Sequence, residues 1–231
     1  MALNRLAGVS ALGFVAIVLS TNAVLAAGHP PAGDTAIADV TAYFSGHATE
    51  VRVDTAFAAL AWVMICVFAA GAVAAMWPLE RDRAEAWSIF GLVGVVMQTV
   101  LAIIWAALRL ALTTTSSGGS PGDAAVTALW QLHNAAFALS SITLAIVLTG
   151  FSIGGARTAI LRSWQVVLGL TSAVLLTAGM VISIFSGAGG PAGLSLIGLV
   201  GWLVWLVWLA GFGVVLLRAE AGRPRPAAQE A

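Results

Sequence analysis

Long apolar stretches separated by short polar connectors dominate the pattern of this chain. Six of them are long enough to cross a membrane as helices, because about 20 residues at roughly 1.5 Å each span the hydrocarbon layer. They lie near residues 7–27, 55–77, 87–112, 125–150, 163–186 and 194–217. Connectors such as "ERDRAEA" and "TTTSSGGSPGD" separate them. The pattern predicts an all-α, polytopic transmembrane helix bundle.

The first apolar stretch has two interpretations. A short basic start, "MALNR", an apolar run and then "VLAA" with small residues match a secretory signal peptide, whose removal would leave five helices. The run is also long enough to span the membrane. The predicted organisation is therefore residues 1–27 as first transmembrane helix or signal peptide, 28–54 as an extracytoplasmic loop, 55–217 as a five-helix membrane bundle and 218–231 as a disordered tail.

Arginine positions predict the orientation, because basic residues in short loops stay on the cytoplasmic side. One side of the six-helix arrangement carries only Arg52 and Arg109. The other side carries Arg5, Arg81, Arg83, Arg157, Arg162, Arg218, Arg223 and Arg225. Both termini are expected in the cytoplasm, and the protein is expected in the plasma membrane.

Composition agrees with this class and limits the partners. Hydrophobic residues make up 60% of the chain and charged residues 9%, which would leave a soluble domain with too little polar surface. The formal net charge is zero and no basic tract is present, so no nucleic-acid partner is expected. The predicted partners are membrane lipids, a membrane protein partner or further copies of the chain.

The predicted outer loop contains a short amphipathic helix. Asp34 is placed to cap it, and Ile37, Val40 and Phe44 share one face that would lie on the membrane or on the bundle. The potential metal ligands of this loop match no zinc spacing, so no metal site is predicted. They are His29, Asp39, His47, Glu50 and Asp54.

Small and polar residues form one stripe on each of the third and fourth predicted spans. On the third span the stripe is Gly91, Gly94, Gln98, Ala102, Trp105 and Arg109. On the fourth it is Thr127, Gln131, Asn134, Ala138, Ser141 and Ala145. The two stripes should meet, with Arg109 near Thr127 and Gln131, Asn134 near Trp105 and Ala102, and Gln98 near Ala138 and Ser141. This polar seam (Arg109, Gln98, Gln131, Asn134 and Ser141) is the candidate binding site, and interhelical hydrogen bonding is its simplest role.

Arg109 and His133 have open interpretations. An intramembrane arginine marks function by default, yet Arg109 lies close enough to its helix end to reach the headgroups or to pair with Asp123. His133 lies about 120° from the polar stripe of its helix, so it is predicted to face a different interface. It is a weak candidate for a binding residue.

The predicted spans contain no aspartate or glutamate, which argues against ion-coupled transport. His133 is the one histidine within a span, so two-histidine haem ligation within the chain is not expected, although a pairing with Met97 or Met180 stays open. No nucleophile and base motif or phosphate-binding glycine loop is present. We expect no catalytic residues, no cofactor and no metal.

The whole layout resembles six-helix membrane proteins of actinobacterial type that are grouped as domains of unknown function. The similarity rests on "PPAGDTAIADVTAYFSGHATEVRV" in the outer loop, on the polar "ALWQLHNAAFALSS" and on an arginine-ended last helix. It implies a small integral membrane protein and carries over no site residues. Three functions are consistent with the sequence: a non-enzymatic component that binds lipid or a membrane partner, a carrier or channel for a small solute, and a redox subunit that holds a cofactor.

Overall fold

The computed structural model describes residues 3–118, 123–186 and 192–221, and these residues form helices joined by short turns, without a strand. The helices are α1 (Leu3–Ala27), α2 (Ile37–Gly46), α3 (Ala48–Arg81), α4 (Trp87–Ser117), α5 (Asp123–Arg157), α6 (Ser163–Ser186) and α7 (Ala192–Ala221). All except α2 are long and apolar enough to cross a membrane. The prediction of an all-α, polytopic bundle is confirmed.

Most of the helices are longer than the predicted spans; α4, for example, ends at Ser117 rather than near 112, and α5 ends at Arg157 rather than near 150. α3 begins at Ala48, so residues 48–54 are helical rather than part of a loop. The helix that precedes it is present at Ile37–Gly46, but Ala36 occupies its N-cap without a side-chain hydrogen bond, so the predicted cap by Asp34 is wrong. α7 continues to Ala221, and residues 222–231 of the predicted tail lie outside the described part.

The six long helices form a closed ring. Each packs against the next long helix along the chain, and α1 also packs against α7. Glycines permit the closest approaches: a Cβ placed on Gly8 of α1 would lie 2.6 Å from the carbonyl oxygen of Gly213 of α7. A Cβ on Gly150 of α5 would lie 2.3 Å from the backbone nitrogen of Gly91 of α4. Small residues therefore bring neighbouring backbones together, as in many membrane helix pairs.

Aromatic side chains fill the centre of this ring. Phe68 of α3 meets Phe151 of α5 and Trp208 and Phe212 of α7 edge to face, with ring centroids 5.3–6.5 Å apart. All four are at most 1% exposed. Trp205 of α7 is also buried.

α1 is part of this core. Ala7, Ala11 and Phe14 are at most 1% exposed, and the Phe14 ring contacts the rings of Trp62 and Trp205 at 5.6 and 5.4 Å. A Cβ placed on Gly71 would collide with the Cβ of Ala7 at 2.2 Å. The first apolar stretch therefore packs in the bundle as a spanning helix does.

A buried carboxylate fixes the turn between α3 and α4. Glu80, at the end of α3, is fully buried and accepts hydrogen bonds from the backbone N–H of Ser88 at 3.0 Å and from its hydroxyl at 2.5 Å. The carboxylate thus satisfies an N–H group in the first turn of α4.

An exposed ion pair lies at the same end of the bundle. The Arg157 guanidinium hydrogen-bonds to Glu85 and holds the pKa of that carboxyl below its usual value. The Arg157–Glu85 ion pair joins the end of α5 to the turn between α3 and α4.

α2 covers the opposite side of the bundle, which we call the α2 side. A second apolar cluster, separate from the aromatic centre, forms there between α2 and the extended ends of its three neighbours. It consists of Val40, Phe44, Val51, Leu112, Val126 and Trp130. α3, α4 and α5 are 31–35 residues long, whereas about 20 residues cross the hydrocarbon layer. Their extra turns and α2 build a small cap with its own core.

Candidate functional site

A layer of charged and aromatic side chains lies between the cap and the membrane-spanning bundle. We call Asp54, Trp105, Arg109, Trp130 and His133 the polar layer. Asp54 of α3 and Arg109 of α4 form a hydrogen-bonded ion pair, with side chains 10% and 6% exposed. Because α3 begins earlier than predicted, this helix contains a buried carboxylate beside Arg109. The predicted pairing of Arg109 with Asp123 concerns a side chain outside the described part.

Aromatic rings extend the ion pair into a stack. The Arg109 guanidinium carbon lies 4.7 Å from the centre of the Trp105 ring, a cation–π geometry. Trp105 stacks on His133 at 5.3 Å, and His133 stacks on Trp130 at 4.9 Å. The imidazole is thus held between two indoles, and its Nδ1 lies 3.2 Å from Oδ1 of Asn134. The stack ties α4 to α5 where the two helices leave the bundle.

The polar layer lies at the level of the membrane surface. Trp77 and Trp87 mark the opposite surface, where amphipathic rings prefer to lie. At 1.5 Å per residue, Asp54 is about 35 Å along α3 from Trp77, and Arg109 is about 33 Å along α4 from Trp87. The hydrocarbon layer is about 30 Å thick. The ion pair is therefore at the headgroup level on the α2 side and not in the centre of the bilayer.

α2 shields the polar layer from that side. Val40 and Phe44 are buried, and the Phe44 ring meets the Trp130 ring edge to face at 6.1 Å. Burial raises the pKa of Tyr43, with the positive charge of Arg109 opposing this effect and the negative charge of Asp54 adding to it. Tyr43 is thus close to the ion pair, and α2 closes over it.

The face of α4 is predicted correctly and that of α5 is not. Gly91, Gly94, Gln98, Ala102 and Arg109 are all buried. On α5, however, the contact runs through Thr143, Val147 and Gly150: Thr143 donates a hydrogen bond to Gln98, a Cβ on Gly94 would meet the Val147 backbone at 2.7 Å, and Gly150 faces Gly91. The predicted α5 stripe follows the polar residues, whereas Gly150 and Gly154 form the closest contacts of this helix with its neighbours.

The predicted seam residues of α5 therefore have different surroundings and do not form one buried face. Gln131 is exposed, Ser141 is half-buried, and Asn134 is half-buried beside His133. His133 was predicted to face another interface, but it lies between α4 and α5. The spacing of Trp130, His133 and Phe137, with Trp105 and Arg109 one turn apart on α4, was the signal for this stack.

A lateral groove in the side of the bundle is a second candidate binding surface. It lies between α5 and α6, has a volume of about 740 Å³ and opens to the outside of the bundle. Its lining is Phe90, Ile142, Ala145, Ile146, Thr149, Leu170, Ala173, Val174, Thr177 and Ala178. On α6, Ala173 and Thr177 line the groove, while Gly169 packs inward against Ser152 and Trp208.

The centre of the bundle offers much less space. A cavity beside Gln98 measures about 10 Å³ and is otherwise walled by apolar side chains, among them Phe68 and Trp208. That volume is at the lower limit for a single water molecule. Within the described residues no group of histidine, cysteine, aspartate or glutamate side chains is arranged to hold a metal ion.

Comparisons with protein-family models, with curated proteins and with solved structures give no match to this chain. The class of the protein follows from its fold: an all-α, multi-pass membrane protein with six membrane-spanning helices, a cap over one end and a groove in its side.

Proposed function

We propose that this protein is a non-enzymatic component of the membrane that binds a lipid in the groove between α5 and α6. The observation that carries the proposal is the groove itself. It is large, nearly all its lining side chains are apolar, and its lining residues belong to helices that are long and apolar enough to cross a membrane. In a membrane, the apolar molecules next to such a surface are the acyl chains of lipids.

The lining explains why a lipid fits. Ala145, Ala173 and Ala178 create the depression because they are smaller than the neighbouring leucines and valines. The Thr177 hydroxyl is bonded to the carbonyl of Ala173 within its own helix, so it requires no partner from a ligand. The volume lies within the range of about 300–1,000 Å³ that small-molecule sites occupy.

The packed centre supports this function over a channel. Four aromatic rings occupy the middle of the ring of helices, and the cavity beside Gln98 is no larger than one water. Solutes would need a continuous path of polar groups through this region. The described residues place apolar side chains there instead.

We also propose that the α2 side is extracytoplasmic and the membrane is the plasma membrane. The support is the arginine distribution, because the described arginines outside the α2 side include Arg5, Arg81, Arg83, Arg157, Arg162 and Arg218. Arg109, on the α2 side, is neutralised by Asp54. Reporter fusions after residue 221 should be active in the cytoplasm, and activity on the external side would reverse the orientation.

Filling the groove tests the function. Ala178→Phe places a large ring in the groove, whereas Val207→Phe adds the same ring at an exposed position of α7 that does not line the groove. Full-length protein purified in mild detergent should carry one tightly held lipid in native mass spectra. Ala178→Phe should lose that lipid and Val207→Phe should keep it. Equal retention by both variants would contradict binding in the groove.

A further inference from the structure

We infer that the lipid in the groove is a phospholipid from the leaflet opposite α2, and that Arg162 holds its phosphate. This inference rests on the proposed function, since it assigns a headgroup to the same site. Two observations support it: the groove has one end that faces the start of α6, and the arginines near that end differ in whether they are paired with a carboxylate.

The groove lies along the middle of α6, and one of its ends faces the α5–α6 turn. On α6 it extends from Ala178 to Leu170, which is about 10 Å from the start of the helix at Ser163. The same helical face continues through Val167, which is 63% exposed, to Ser163. Arg162 is the residue immediately before this face begins. An acyl chain in the groove would thus have its headgroup near Arg162.

The opposite wall reaches the same level. Phe90, which lines the groove, is in the first turn of α4, and its ring meets that of Trp87 edge to face at 6.4 Å. Trp164, in the first turn of α6, is 55% exposed. Indole rings prefer the headgroup region. The Phe90 end of the groove is therefore the end nearest to the membrane surface on this side.

The arginines near this end differ in what they bind. Arg157 is paired with Glu85, and Arg83 donates a hydrogen bond to the carbonyl of Arg157. Arg162 is exposed, and among the described residues its guanidinium has no ion pair with a carboxylate. Its backbone N–H is bonded to the side chain of Gln165 at 3.1 Å, which fixes the main chain and leaves the guanidinium to the surface. An arginine in this state suits a phosphate, which accepts charge-assisted hydrogen bonds.

The test compares two lipids with identical acyl chains. Delipidated full-length protein in detergent is titrated with diacylphosphatidylglycerol, which has a phosphate, and with diacylglycerol, which has none. Native mass spectrometry reports the bound fraction. The phosphate lipid should bind about tenfold or more tightly, because hydrogen bonds to charged groups have this order of effect.

Two variants assign that difference to Arg162. Arg162→Gln should reduce the difference to near zero. Arg218→Gln, which removes an exposed arginine at the end of α7 on the same side, should preserve it. Equal binding of both lipids by the unmodified protein, or an unchanged preference in Arg162→Gln, would overturn the inference.

The same titration separates this inference from the proposed function. If both lipids bind equally and Ala178→Phe abolishes both, the groove binds acyl chains and the phosphate assignment is wrong. If Ala178→Phe leaves the binding of both lipids unchanged, the groove is not the lipid site and both proposals fail.

Discussion

Removing one member of the Asp54–Arg109 pair should destabilise the protein more than removing both. The perturbations are Asp54→Asn, Arg109→Met and the double variant. Both side chains are at most 10% exposed, so either single change leaves a charge in a site shielded from water. Breaking a buried pair in this way costs about 3–5 kcal/mol, whereas apolar or neutral replacement of both partners is often close to neutral.

The two single variants should also differ from each other. Arg109→Met loses the cation–π contact with Trp105 in addition to the ion pair, which adds about 0.5–2 kcal/mol. Asp54→Asn keeps that contact and the size of the side chain. The expected order of stability is therefore the unmodified protein, the double variant, Asp54→Asn and then Arg109→Met.

Reversible unfolding in mixed micelles, with a denaturing detergent as the variable, measures these free energies. The double-variant cycle then gives the coupling between the two side chains. Coupling of at least about 2 kcal/mol would show that the pair is a structural element of the cap. Additive effects, with the double variant as unstable as the sum of the singles, would refute this reasoning.

Three further changes and one mass measurement test other parts of the structure. Gly169→Ala should cost about 1–3 kcal/mol because its Cβ would lie 2.0 Å from the Ser152 hydroxyl, whereas Gly46→Ala meets nothing within 4 Å. Gln98→Leu should cost about 0.6–2 kcal/mol without changing lipid retention. Tyr43 is the single tyrosine, so absorbance titration should show its phenol ionising above pH 10, and the stability it contributes should decline as pH rises through 10. The intact mass of the mature protein should include α1, and a mass without it would contradict the packing described above.

The sequence was sufficient to predict the number and position of the spans, because apolar length alone decides whether a helix crosses a membrane. It was not sufficient to place the start of α3. Arg52 and Asp54 make residues 48–54 look like loop in a hydropathy pattern. These residues are helical because Val51 joins the apolar cluster that includes Leu112 and Val126, and because Asp54 meets Arg109; these partners lie far away in the sequence.

Half of the candidate site could be predicted in the same way. On α4 the glycines and polar residues share one face, so polarity and small size indicate the same contact. On α5 the two properties point in different directions, and the glycines determine the face while Gln131 stays outside. The groove was not predictable, because it is the space left where α5 and α6 separate, and the packing of the other helices sets that distance.

The contact between α1 and α7 has a consequence for biosynthesis. Of the described helices, α1 is made before the others and α7 after them, yet Gly8 and Gly213 bring their backbones into contact. Until α7 enters the membrane, the other five spans form an open arc, and the glycine face of α1 is turned towards lipid. Contacts between segments that are distant in sequence form slowly in folding, because the entropy cost of closing the chain comes before the stabilising contacts are made. The ring of described helices can therefore close only after α7 has been made and has docked on α1.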